Sequence, residues 1–299
     1  MEDRHQASEH DLDTLTACEQ AIRRNPDNAR AYYEKGEILH RLNRYEEALQ
    51  ACEQAISLDP SYPLAYHSKG YILNKLQRYE EALQACEQAI SLDPTYALAH
   101  TEKGTSLSML QRYEEALQAY EQALHLDPTH ALTYYNKGCA LSDLQRYEEA
   151  LQAYEYALRL DPTLAQAYNN KGDTLYQLQR YEEALQACEQ AIHLDPTNDL
   201  AYYNKGEILY ELQRYEEAVL AYEQALRLVP NDTASYNNKG YSLFKLQRYD
   251  EALQAYEQAL RLDPTNGLVH YNKGLALDKL RRYEEATKAY QEAQKLGYI

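Results

Sequence analysis

Between Ala97 and His130 the apolar positions fall into two runs with helical spacing. The first run places Ala99, His100, Lys103, Gly104 and Leu107 on one arc, and the second places Tyr113, Ala116, Leu117, Tyr120, Ala123 and Leu124 on another. This pattern predicts a helical hairpin. Small residues at Gly104, Ala116 and Ala123 let the two backbones approach, and the Tyr and Leu side chains fill the space around that contact. The pattern recurs along the chain. Glycine stands at residues 36, 70, 104, 138, 172, 206, 240 and 274, always 34 apart, and proline keeps the same step from Pro26 through Pro60 to Pro264. A fixed period of this length predicts stacked supersecondary units, each burying its apolar face against its neighbours.

The connections carry their own chemistry. A residue before proline is pushed out of the α region, so the Asp-Pro dipeptides and their variants end each second helix. Directly after each proline stands Asp27, Ser61, Thr95, Thr129, Thr163, Thr197, Asn231 or Thr265. Their side chains can accept from free backbone N–H groups, which predicts a cap at the next helix start.

With its 34-residue period, its recurring aromatic, Gly, Tyr and Ala, its aromatic or Cys, and its further Ala and Pro, the chain resembles the tetratricopeptide repeat family. The resemblance covers eight units, 29–62, 63–96, 97–130, 131–164, 165–198, 199–232, 233–266 and 267–299, read as one solenoid domain. Residues 1–28 then form a polar segment followed by a degenerate half repeat, the second helix of a ninth unit at residues 11 to 28. The resemblance implies an all-α fold, a right-handed superhelical solenoid of antiparallel helix pairs whose first helices line a concave groove that usually holds peptides or protein segments. Three features depart from the family pattern. The usual Trp is Tyr or His, as at Tyr32 and His100; the usual Leu before the glycine is Lys; and the usual glycine between the helices is Asn43, Arg281 or Gln.

Formal net charge is −17, and much of the acid sits on second helices in recurring Tyr-Glu-Glu-Ala segments, which read as solvated outer faces. That acidity argues against nucleic acid and anionic membrane as partners. No apolar stretch approaches membrane-spanning length and the start lacks a secretory signal's apolar segment, so a cytoplasmic location is expected. Thr287, Lys288 and Gln294 make the last unit more polar, as a capping repeat of a complete array needs, and the first ten residues read as a frayed segment or short helix.

Cys18, Cys52, Cys86 and Cys188 occupy the slot that Tyr120, Tyr154, Tyr222, Tyr256 and Tyr290 hold elsewhere, and read as small buried hydrophobes. Cys139 is the thiol expected to face the groove. The histidines lack metal-ligand spacing, no glycine-rich phosphate loop occurs, and no serine has a nucleophile context. Neither a catalytic residue nor a metal site nor a cofactor is expected, and the chain does not read as an enzyme.

A lysine precedes every repeat glycine, from Lys35 to Lys273, and each has a glutamate 16 residues upstream, from Glu19 to Glu257. Two readings stand. Either the pairs form an inter-repeat ladder, or the lysine stems pack on the core edge while their amines reach water.

Function is expected on the first-helix arc opposite the core, which holds the residues three and two before the glycine, one after it, and four and five after it. Two before the glycine lies an asparagine series, Asn136, Asn170, Asn204, Asn238 and Asn272. Carboxamides repeated once per unit can pair with successive peptide groups of an extended segment. The series is similar to the ladder in the tetratricopeptide portion of O-linked N-acetylglucosamine transferases, without a transferase domain. Around it stand Tyr135, Tyr203 and Tyr271, with Asn169 and Asn237 in the same slot, and Tyr176, Tyr210 and Phe244 further along. Tyrosine and asparagine suit recognition, giving contact area with little rotamer loss and adaptable hydrogen bonding. The N-terminal half is more charged on this arc, with Arg30, Glu34, Glu37, Arg41, His67 and Lys75. The expected function is a non-enzymatic scaffold or adaptor for a protein or extended peptide, acting as a monomer with self-association as an option. Structural self-assembly or outer-face docking in a complex, and a regulatory module for a separately encoded enzyme, are the alternatives.

Overall fold

The computed structural model describes residues 2–298, with side chains from His10 onward. The described residues form seventeen helices and no strand. They group into two compact units, residues 1–160 and 161–299. The first holds α1 (Glu2–Arg24), α2 (Ala29–Arg41), α3 (Tyr45–Leu58), α4 (Pro63–Lys75), α5 (Tyr79–Leu92), α6 (Ala97–Met109), α7 (Tyr113–Leu126), α8 (Ala131–Asp143) and α9 (Tyr147–Leu160). The second holds α10 (Ala165–Gln177), α11 (Tyr181–Leu194), α12 (Asp199–Glu211), α13 (Tyr215–Leu228), α14 (Thr233–Lys245), α15 (Tyr249–Leu262), α16 (Gly267–Lys279) and α17 (Tyr283–Lys295). Within each unit every first helix packs on the second helix of its own repeat, and that second helix packs on the next first helix. Most of the segment expected as a degenerate half repeat lies in the C-terminal part of α1, which buries Leu15 and Cys18 in the core beside α2. The first ten residues, expected as a frayed segment or short helix, are helical from Glu2, while the side chains of residues 1 to 9 lie outside the described residues.

The repeat glycine and the Tyr or Cys slot are two halves of one contact. A Cβ added to Gly104 would lie 2.5 Å from Tyr120 Cε1, and one added to Gly206 would lie 2.6 Å from Tyr222 Cε1. In the cysteine units the thiol takes that place, with Cys86 Sγ 2.5 Å from the equivalent point at Gly70. Cys18, Cys52, Cys86 and Cys188 are buried free thiols, and burial pushes Cys52 and Cys188 up to about 12. Cys139 is half-buried and packs against the cluster of Leu107, Tyr120 and Leu141, so it joins the core edge rather than standing free in the groove.

The turn inside each hairpin has one design. After α6, the backbone N–H of Arg112 donates to Leu107 O at 2.9 Å and that of Gln111 donates to Ser108 O at 2.9 Å. That pairing satisfies two carbonyls left open at the helix end, and it requires a left-handed residue, here Gln111 at φ 60°. All eight such positions, Asn43, Gln77, Gln111, Gln145, Gln179, Gln213, Gln247 and Arg281, are non-glycine residues with φ between 58° and 60°. A side chain costs about 1–2 kcal/mol in that region, whereas glycine gives back about 0.5–1 kcal/mol in unfolded-state entropy. Gln111→Gly is therefore expected to raise stability by about 0.5–1 kcal/mol. A denaturant midpoint that stays put or falls would refute this account of the turn.

Arg112 then serves as the residue before α7, and its guanidinium grips Glu115 through two bonds, Nε to Oε1 at 2.7 Å and Nη2 to Oε2 at 2.6 Å. The same fork recurs from Arg44–Glu47 to Arg282–Glu285. In each case the Arg partner holds the glutamate below the usual carboxylate range. These exposed pairs fix the geometry of the helix start more than its energy.

Between hairpins the structure corrects the capping expectation. Ser61, Thr95, Thr129, Thr163, Thr197 and Thr265 do not cap the next helix. Each sends its backbone N–H and its hydroxyl to the aspartate two residues earlier; Thr95 reaches Asp93 Oδ1 at 3.0 and 2.7 Å. The Asp-Pro carboxylate is the better acceptor, and these bonds hold Asp93 and its equivalents below the usual carboxylate range. The helix start lies one residue later, where only Asn28, Asn198, Asp232 and Asn266 cap with their side chains. Tyr62, Tyr96, His130 and Leu164 stand there without a side-chain cap.

The lysine question resolves into a ladder. Lys35–Glu19, Lys69–Glu53, Lys103–Glu87 and Lys137–Glu121 in the first unit, and Lys205–Glu189, Lys239–Glu223 and Lys273–Glu257 in the second, have separations of 2.8–3.2 Å. The stems pack on the core edge as well, since these lysine side chains are only 23–30% exposed. Partly exposed pairs of this kind contribute roughly 0–1 kcal/mol each, so they set register between repeats rather than supply the bulk of stability.

Candidate functional site

The first helices of residues 161–299 form a wall in which α10 touches α12, α12 touches α14, and α14 touches α16. At 13 residues each and with the small glycine on the core side, they lie close enough for side chains two and three before the glycine to reach the preceding repeat. Asn204 Nδ2 donates to Asn169 Oδ1 at 3.2 Å, and Asn272 Nδ2 donates to Asn237 Oδ1 at 3.0 Å. Asn169 and Asn237 in turn donate to their chain neighbours Asn170 and Asn238 at 3.4 and 3.1 Å. Asn238 Nδ2 donates to the Tyr203 hydroxyl at 3.1 Å, which donates to Glu207 Oε1 at 3.2 Å. One line of donors thus runs from Asn272 through Asn237, Asn238 and Tyr203, every dipole pointing toward the Glu207 carboxylate.

This seam changes the picture of the asparagines. The expected row of free carboxamides is instead partly consumed between repeats. Asn169, Asn204 and Asn272 are 3%, 9% and 6% exposed, while Asn170 and Asn238 are half-buried. In the first unit Asn136 follows the same rule, donating to Thr105 Oγ1 of the preceding repeat at 3.4 Å. Tyr135 is half-buried there, its ring 6.0 Å from that of Tyr154.

Beside the seam in the second unit lies a cavity of about 150 Å³ lined by Tyr176, Glu207, Tyr210, Glu211, Tyr222, Asn238 and Tyr241. Tyr210 and Tyr241 stack with ring centroids 5.3 Å apart and planes 29° from parallel. Burial, first of all, raises the Glu207 carboxyl, and the Asp173 carboxyl nearby, above the usual carboxylate range. Burial likewise pushes the Tyr176 hydroxyl up to about 12, with the charges of Glu207 and Glu211 adding to it. Of the residues singled out from sequence, Tyr176, Tyr210 and Asn238 meet here, with Tyr203 joined through its hydroxyl. Two others do not. Phe244 packs edge-on to Tyr249, and Tyr271 packs between Tyr290 and Tyr298. Glu207, Glu211 and Tyr241 were missed. They occupy the places one and five after the glycine, on the arc already marked as the groove, so their positions were legible and their convergence was not.

The wall of the first unit has a different polar content. Ser68 donates to Glu37 at 2.6 Å, Asn74 Nδ2 donates to Glu102 Oε2 at 3.1 Å, and the Tyr96 hydroxyl meets His67 Nδ1 at 3.2 Å. Burial drives His67 down to about 4 and raises the Glu102 carboxyl, so His67 is uncharged at neutral pH.

Family models described as tetratricopeptide repeat match residues 15–63, 63–96, 97–130, 135–199, 187–219, 233–266 and 255–288, and one described as TPR repeat matches 206–247. The chain belongs to the tetratricopeptide repeat family. Proteins of this family are protein-interaction scaffolds. No curated protein matches this TPR chain. Among solved structures it is similar to Pseudomonas aeruginosa PilF, at 22% identity over 75% of this chain and 98% of the other, with a TM-score of 0.62. It is also similar to the APC/C hetero-tetramer Cut9–Hcn1, at 19% identity over 91% of this chain and 54% of the other, with a TM-score of 0.61. Both show the TPR fold alone. YrrB, a TPR protein with an unusual peptide-binding site, is 28% identical over 63% of this chain and 97% of its own, with a TM-score of 0.50. Among the described residues no helix is long and apolar enough to cross a membrane, and no three His, Cys, Asp or Glu side chains are grouped as metal ligands.

Proposed function

We propose that this TPR chain is a non-enzymatic scaffold that holds an extended segment of a partner protein against the first-helix wall of residues 161–299. The observation that carries the reading is the cavity beside the asparagine seam, where half-buried tyrosines Tyr176, Tyr210 and Tyr241 converge. Half-buried rings have lost most of their rotamer freedom before a ligand arrives, and each still offers a face and a hydroxyl. In this reading the buried Asn169, Asn204 and Asn272 hold neighbouring first helices in register. Asn170, Asn238, Tyr203, Phe244 and Tyr271 contribute the rest of the contact surface, with Tyr135 and Asn136 lining the wall of the first unit. YrrB, with its own peptide-binding site, supports a peptide as the ligand.

Panning a random peptide library against wild type and a Tyr176→Ala/Tyr210→Ala variant tests this. Wild type is expected to enrich a peptide family whose affinity falls about tenfold or more in the variant, as loss of buried aromatic contacts at an interface does. Enrichment of the same peptides by both proteins, each shown folded by circular dichroism, would place binding elsewhere.

A further inference from the structure

The cavity in residues 161–299 has a charge that its surroundings leave unanswered. Glu207 and Glu211 line it and Asp173 lies close by. On the second helices, by contrast, glutamates such as Glu217, Glu251 and Glu189 have cations through the Arg forks and the lysine ladder. The repeat lysines of the same first helices are committed to partners on the core edge, Lys205 to Glu189 and Lys239 to Glu223. A cation on the same wall, Lys245, has its ammonium 5.2 Å from the centre of the Tyr241 ring. Two carboxylates thus line the cavity and a third lies close, with one ammonium at the neighbouring ring.

The walls suit the same sign. A tyrosine face attracts a cation through the ring quadrupole, and it does so best where water is excluded. Among the described residues the array already uses this contact three times, with Lys245 over Tyr241 and, in the first unit, Lys75 over Tyr71 at 5.0 Å and Arg159 over Tyr156 at 5.1 Å. The donor line from Asn272 to Tyr203 ends on Glu207 and so fixes where its carboxylate sits. An anion entering here would meet carboxylates and ring faces, both repulsive. An apolar side chain would cover them and leave buried charge without a partner, which is costly.

We infer that this cavity receives a lysine or arginine side chain of the bound segment, its alkyl stem against Tyr176, Tyr210 and Tyr241 and its charged head at Glu207 and Glu211. This rests on the reading of the wall as a peptide-binding surface and gives it a ligand class, an extended segment with a basic residue at a fixed position. Burial raises the free Glu207 carboxyl, and an arriving cation reverses that shift, so binding is expected to weaken as the pH falls through the raised value.

The test uses the full chain and an array of short peptides of Ala, Ser and Asn with Lys, Arg, Gln, Leu or Glu at one central place. Lys and Arg peptides are expected to bind wild type about tenfold tighter than the Gln peptide, and Glu207→Gln/Glu211→Gln is expected to abolish that preference. Glu182→Gln/Glu216→Gln makes the same change in net charge on exposed second-helix faces and is expected to keep it. Equal binding of Lys and Gln peptides by wild type overturns this inference and leaves the peptide reading intact, as does an equal loss in both variants. If no peptide binds, the peptide reading fails, and titration with Nα-acetyl-lysine methylamide, followed by tyrosine ring NMR signals, decides the cavity. Shifts at Tyr176, Tyr210 or Tyr241 that vanish in the Gln variant support the site, and their absence from wild type overturns it.

Discussion

Tyr120→Ala is expected to lower stability by about 3–5 kcal/mol, the range for truncating a large buried aromatic. Tyr120 is 1% exposed and sits among Leu107, Ala116, Leu117, Leu141 and Tyr154. The ring lies directly over Gly104, where an added Cβ would come within 2.5 Å. Gly104 beneath the ring and Ala116 beside it have no side chain long enough to reach into the void, which places the cost at the upper end of the range. The damage should also stay local, because each repeat draws its stability from its own hairpin and the adjoining helices. Amide exchange is therefore expected to rise first in α6, α7 and α8, ahead of the rest of residues 1–160. Cys86→Ala, at the equivalent slot beside Gly70, removes one sulfur and is expected to cost far less. Equal losses from the two variants in guanidinium melts would show that the slot does not organise the repeat.

What could be read from the chain alone was what the period and the helical arcs determine. The hairpins, the shared Tyr or Cys slot, and the lysine with a glutamate 16 residues upstream all rest on residues that recur in nearly every unit, although the ladder itself was one of two open readings until the structure paired them. Four things were hidden, each for a physical reason. Thr95 and its equivalents have the chemistry of a cap, but a threonine hydroxyl is also a donor, and the carboxylate of Asp93 outcompetes a backbone N–H one turn further on. The Arg112–Glu115 fork lay in plain sight as a recurring Arg-Tyr-Glu-Glu, whose meaning appears only when Arg112 proves to be the residue that opens α7. The helical wheel puts the asparagines on the arc opposite the core, yet a single helical wheel has no neighbour. Once α16 lies against α14, the arc facing away from the core faces partly toward the preceding repeat, and Asn272 spends its amide on Asn237. The acidic cavity depends on residues that differ between units, Asp173, Glu207 and Tyr241 at one equivalent place, so no repeated signal marked it.

Gly104→Ala should then show a reversal of sign. In an ordinary helix interior alanine is better than glycine by about 1 kcal/mol, so an exposed glycine in α6 would be a simple target for stabilisation. At residue 104 the new methyl would lie 2.5, 2.6 and 2.9 Å from three atoms of the Tyr120 ring, and these are the body of a buried side chain rather than its free end. Overpacking of this kind costs about 1–3 kcal/mol, enough to outweigh the helix propensity gain, and the single variant is expected to be less stable than wild type. In the Tyr120→Ala background the same methyl enters the vacated space, restoring some contact while keeping the propensity gain, so Gly104→Ala is expected to stabilise there. The double-mutant cycle therefore predicts a coupling of roughly 2 kcal/mol or more between residues 104 and 120, which residues in direct contact can reach and distant ones do not. Additive effects, with Gly104→Ala equally costly in both backgrounds, would mean that the glycine is required by the backbone of α6 itself, and the pairing of glycine with ring that defines each repeat would have to be abandoned.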